Sequence, residues 1–150
     1  MRAHNNPAMR ARRFVILLSG LLAFGCADDL VPITARWNQA EVVRLKRISE
    51  LKASVAEIRA AAAGNRALAL NDWRSEEAKT SIRNFETGVR DVEQLFLINE
   101  LAVNEALRTG KLSIAKPVID RAEADFDAAV VRLVPAPAQI HAALEGTRHP

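Results

Sequence analysis

The chain has 150 residues, a formal net charge of +3, one cysteine and no tyrosine. A single cysteine excludes an intramolecular disulfide, and an aromatic content of 5% is too low for the stacking platforms that hold single-stranded nucleic acid. The positive charge is also concentrated at the start. Arg2, Arg10, Arg12 and Arg13 precede residue 14 and no acidic residue precedes Asp28, so the chain from Cys26 onward holds 17 Lys+Arg against 18 Asp+Glu, a net of −1. No basic face of the kind that binds nucleic acid is left.

In chain order, the first readable stretch is Met9 to Cys26. Arg10, Arg12 and Arg13 stand before an apolar run, and the run closes on Gly25-Cys26. A basic region, a short hydrophobic region and small residues at a cut are the layout of an export signal. The run from Phe14 to Gly25 holds 12 residues, against about 20 for a membrane-spanning helix. The segment is therefore an address, and the fold is expected in the 125 residues that follow it.

Ala23-Phe24-Gly25-Cys26 resembles the lipobox of bacterial lipoproteins. The family usually carries Leu three places before the cysteine and a small residue two before; here those places hold Ala23 and Phe24. The resemblance implies cleavage between Gly25 and Cys26, a diacylglycerol on the Cys26 thiol, and a further acyl chain of the palmitate type on the new terminus. It covers only the first 26 residues. Ordinary signal-peptidase cleavage after Gly25 is the competing reading, since Ala23-x-Gly25 fits its small-x-small rule. A lone thiol in an oxidising compartment invites unwanted pairing, which favours acylation. By the same resemblance, Ala27 rather than Asp after the cysteine implies the outer membrane, facing the periplasm. Asp28 and Asp29 keep the inner membrane as the alternative.

Residues 26–36 lack a helical stripe and read as a lipidated tether. A helical bundle is expected over 37–145 and a frayed tail over 146–150. Helix one is expected to start at Asn38, where Asn38-x-x-Glu41 forms a capping box and Trp37 with Val42 a hydrophobic staple. Its stripe is Val42, Leu45, Ile48, Leu51, Val55, Ile58 and Ala62, ending at Gly64-Asn65. Helix two is expected to begin between Arg66 and Asp72, with Asn71 or Asp72 as cap. Its seam is Ala78, Ile82, Phe85, Val89, Val92, Phe96, Asn99, Val103 and Ala106, in alternating steps of four and three. Gly110 closes it. Helix three is expected near Lys116 with Pro117 at its first position, and a stripe of Val118 or Ile119, Ala122, Phe126, Ala129, Val130 and Leu133. Pro135 and Pro137 stop it, and a short helix over 137–144 offers Ile140 and Leu144.

Charge adds an arrangement. Between Arg36 and Arg66 stand seven basic and three acidic residues, whereas Asp120, Glu123, Asp125 and Asp127 face only Arg121. A basic helix one and an acidic helix three are expected as neighbours. The fold class is all-α: an antiparallel bundle of three long helices and one short, with coiled-coil-like packing.

Candidate sites are few. Around Leu95, Phe96, Ile98, Asn99 and Val103 the apolar face widens to nearly the whole helix, which marks either core or a partner or ligand surface. Asn99 reads either as a ligand contact or as an amide bonded to a neighbouring helix. His141 and Glu145, four apart, do not complete a metal site. Glu93, Glu100 and Glu105 lack the Glu-x-x-His partners of di-metal bundles. No serine has the strand-turn-helix setting of a nucleophile elbow and no glycine-rich phosphate loop exists. No catalytic residue, metal or cofactor is expected, and the chain reads as a non-enzyme. The leading expectation is an anchored helical module that docks onto another envelope protein or complex. The alternatives are a bundle that binds or senses a small apolar ligand, and a self-associating coiled-coil lipoprotein such as a spanin-like protein.

Overall fold

A computed structural model describes residues 30–69 and 73–147. The expected export signal, its expected cut at Gly25-Cys26, the expected acylation of Cys26, the expected caps at Asn71 or Asp72 and the last three residues of the expected frayed tail lie outside the described residues. Among the described residues four α-helices follow in order: α1 (Leu30–Ala63), α2 (Trp73–Arg108), α3 (Leu112–Leu133) and α4 (Ala136–Gly146). A 3-10 turn, Arg66–Ala69, lies between α1 and α2. No strand occurs among the described residues, and none of their helices is long and apolar enough to cross a membrane.

The seam on α2 is buried as the heptad steps require. Ala78, Ile82, Phe85, Val89, Val92, Phe96, Val103 and Ala106 are all core residues, and Ser75 continues the row one step earlier. Pairs along its length set the direction of its neighbours. Lys52 meets Glu93 at 2.9 Å and Arg59 meets Glu86 at 2.6 Å, so α1 runs antiparallel to α2. Phe96 packs edge-on against Phe126 at 6.3 Å, and Asn99 reaches Ala122, so α3 also runs antiparallel to α2. Arg36 bonds Asp120 at 2.8 Å and Arg47 bonds Asp127 at 2.7 Å, which joins the basic α1 to the acidic α3. The up-down-up bundle is thus the observed architecture. Exposed pairs of this kind contribute about 0–1 kcal/mol each; they record the arrangement and do little to stabilise it.

Only Val134 and Pro135, both in the right-handed helical region, separate α3 from α4. Pro135 and Pro137 lack the N–H that would continue the ladder, so the third layer is one long element bent at the prolines. Its upper part passes close to α2 at Gly88, where an added Cβ would lie 2.6 Å from Leu133 Cδ2. The helix-interior glycine makes room for that leucine.

Two helix starts differ from expectation. α1 starts at Leu30, not Asn38, and residues 30–36 are helix instead of tether. Leu30, Ile33 and Trp37 are buried against Val103, Ala106, Ala115, Ile119 and Ala122. Asn38 is an exposed mid-helix residue and Val42 is 70% exposed, so neither capping box nor staple forms. Pro32 is accommodated in the first turn, where a backbone N–H has no helical acceptor to lose. α3 starts at Leu112, which places Pro117 inside the helix. There it forfeits only the bond to the Ser113 carbonyl, on an exposed residue that water can serve.

The α1 C-terminus is held by a side chain. Asn65 is 6% exposed. Its Nδ2 donates to the Leu144 carbonyl at 3.0 Å and to Thr147 Oγ1 at 2.8 Å, and its Oδ1 accepts from the Ala67 N–H. Gly110 carries the left-handed turn (φ 67°) between α2 and α3. Asn65→Ala is expected to cost about 1–3 kcal/mol, because buried partners lose their bonds. Hydrogen exchange should show the loss of protection concentrated in α4. Phe96→Ala, which removes a ring 7% exposed, is expected to cost about 3–5 kcal/mol; a thermal melt at the wild-type midpoint would contradict the seam.

Candidate functional site

The core is not continuous. A larger apolar cluster runs from Ile48, Phe96 and Phe126 to Leu144. A smaller one runs from Leu30 to Trp37 on α1, with Val103, Ala106 and residues 115–122. Where they meet lies a polar layer of Arg44 and Glu41 from α1 with Asn99 and Glu100 from α2, resting on Trp37 and reaching the Ala122 carbonyl of α3.

Arg44 occupies the seam position of α1 between Trp37 and Ile48, and its side chain is 6% exposed. Its guanidinium lies over the Trp37 ring, 3.6 Å from the centroid, an arrangement that contributes about 2 kcal/mol when desolvated. Its Nη2 donates to the Trp37 carbonyl at 3.1 Å and stands 3.7 Å from Glu100 Oε1. Arg44 Nε and Glu100 Oε1 are both buried without a hydrogen-bond partner. On the other side of α2, Asn99 Nδ2 donates to the Ala122 carbonyl at 3.1 Å. Its amide thus bonds a neighbouring helix.

Burial pulls the Arg44 guanidinium below its ordinary value, and the charges of Glu100, Glu123, Glu41 and Asp127 oppose that pull. Burial likewise raises the Glu100 carboxyl; the negative charge of Glu41 adds to the rise, while Arg44 and Trp37 oppose it. Both shifts have the sign of desolvation outweighing attraction, the usual condition of a buried ion pair. The Arg44–Glu100 pair therefore does little to stabilise the bundle. Its position favours one register: sliding α1 by one heptad so that Arg44 takes the place of Trp37 would put the guanidinium in the smaller apolar cluster, away from Glu100.

The expected partner surface divides. Phe96 and Val103 are core and Leu95 is half-buried, whereas Ile98 is 61% exposed, beside exposed Leu97 and Leu101. His141 lies 4.0 Å from Glu57 on α1 and one turn from Glu145 on its own helix. Among the described residues no three His, Cys, Asp or Glu side chains are grouped to hold a metal.

Arg44 and Trp37 are the residues that sequence periodicity missed. The signal was present. Counting back from Ile58 through Val55, Leu51 and Ile48 in threes and fours reaches Arg44, and a full heptad further back Trp37, then Ile33 and Leu30. Preferring an apolar residue at that step diverts the stripe to Leu45 and Val42, which are 47% and 70% exposed. Comparison with protein-family models, with curated proteins and with solved structures finds no match to this chain.

Proposed function

We propose that this chain is a lipid-anchored helical docking module of the bacterial cell envelope, without catalytic activity of its own. The observation that carries the reading is the layout Arg10 to Cys26, in which the only cysteine of the chain stands at the small-residue end of a 12-residue apolar run. Acyl chains on Cys26 contribute about 0.8 kcal/mol per buried methylene, and more than one chain makes a stable anchor. The placement proposed is the periplasmic face of the outer membrane, from Ala27 after the cysteine. Leu30 already belongs to the bundle, and the four residues from Cys26 to Asp29 reach about 14 Å at full extension. An anchored bundle would thus stand with its Leu30 end close to the lipid. A docking role fits the exposed apolar residues on α1 and α2.

Mass spectrometry of the membrane-extracted protein is expected to find residues 1–25 removed and acyl chains on Cys26. An unmodified mature terminus, or a full-length chain in the cytosol, would overturn the proposal.

A further inference from the structure

We infer that the outer groove between α1 and α2 is the docking surface, and that it takes one amphipathic helix of another protein, apolar at one end and acidic at the other. The inference deepens the docking role just proposed and rests on it, but not on the lipid anchor. On α1, Val42, Leu45, Ser49, Ala53, Ala56, Ala60 and Ala63 follow in steps of three and four, and all are exposed. They form a second heptad row beside the buried one, the pattern of a helix that packs on two sides.

The opposite wall comes from α2. The pairs Arg44–Glu100 and Lys52–Glu93 set the register, which brings Leu45 level with Leu97 and Leu101. Val42, Leu45, Leu97 and Leu101 are 70%, 47%, 56% and 72% exposed. Four large apolar side chains on one face of a small bundle form a patch rather than scattered exposure. Further along, the same groove is lined by Lys52, Ala56, Arg59, Glu86, Arg90 and Glu93. Lys52 is paired with Glu93 and Arg59 with Glu86, which leaves Arg90 in surplus. Arg90 forms no close ion pair among the described residues and acts on Glu86 at longer range; Arg83, two turns away, donates to Thr80 Oγ1 and acts on Glu76 at longer range. The apolar half of the groove fits leucine-like side chains at three- and four-residue spacing. The cationic half fits carboxylates, and the row of alanines on α1 allows close approach.

The test uses the full chain and two synthetic 21-residue amphipathic helices, identical except that the residues meeting Arg83 and Arg90 are Glu in one and Lys in the other. The Glu peptide is expected to bind at least ten-fold more tightly. Arg83→Glu with Arg90→Glu should invert that preference, and Leu101→Asp should weaken both peptides at least ten-fold. All three substitutions are at exposed positions, and unchanged helical circular dichroism verifies that the variants fold. Equal binding of the two peptides, a preference that survives the charge swap, or indifference to Leu101→Asp would overturn the inference. So would a stable dimer that Leu101→Asp dissolves, because the groove would then belong to a second copy. A Cys26 found without lipid would end the anchor proposal and leave these results standing.

Discussion

Replacing Arg44 and Glu100 together, as Arg44→Met with Glu100→Leu, is expected to leave the bundle as stable as the parent or more stable by about 1–4 kcal/mol. Glu100→Leu alone is expected to cost about 3–5 kcal/mol. The difference follows from the polar layer. Both partners are shifted in the sense of unrepaid burial, so removing both removes two desolvation penalties. Removing the glutamate alone strands a guanidinium that cannot shed its proton, with only Glu41, Glu123 and Asp127 left to face it. Arg44→Met alone is the milder single change, because Glu100 can take up a proton. That makes its cost depend on pH. A carboxyl raised in the folded state binds more protons folded than unfolded, so its contribution is fully present below the ordinary value of 4.5 and is lost as pH rises through the folded value. Arg44→Met should therefore lie nearest the parent in mild acid and fall away toward neutrality. Urea titrations of the four proteins at two pH values read the whole cycle. A double variant weaker than Glu100→Leu would show that the pair holds the fold together.

Trp37→Ala is expected to cost about 3–5 kcal/mol. The indole is 2% exposed and belongs to the smaller core cluster with Ile119 and Val103. It also forms the floor on which Arg44 lies, so the loss includes the cation–π contact. Val42→Ala is the matched control. A hydrophobic staple at Trp37 and Val42 would make both changes costly, whereas the exposed Val42 is expected to change stability by no more than about 0.5 kcal/mol. Two equal, small effects would mean that α1 does not begin at Leu30 in solution.

Much of the bundle is legible in the order of the residues. The α2 seam from Ala78 to Ala106 needs only the period of the helix, because every step but Asn99 lands on an apolar side chain. The neighbourhood of α1 and α3 follows from charge, since Arg36 and Arg47 have their partners on the acidic helix. Less of the candidate site can be read in this way. Asn99 stands out because it interrupts a run of apolar steps, and it does bond α3. Arg44 does not stand out, since a charged residue in a basic helix reads as surface.

Helicity, the buried face of α2 and the attraction between the first and third layers all belong to the chain alone. Periodicity and charge are properties that need no partner to be visible. That α1 reaches back to Leu30, that Arg44 is core and that Pro117 lies within a helix emerge only once the helices are packed together. Each of those depends on what stands opposite. An arginine can be buried only where a ring and a carboxylate from another turn and another helix receive it, and a helix extends only as far as a neighbour covers its apolar side.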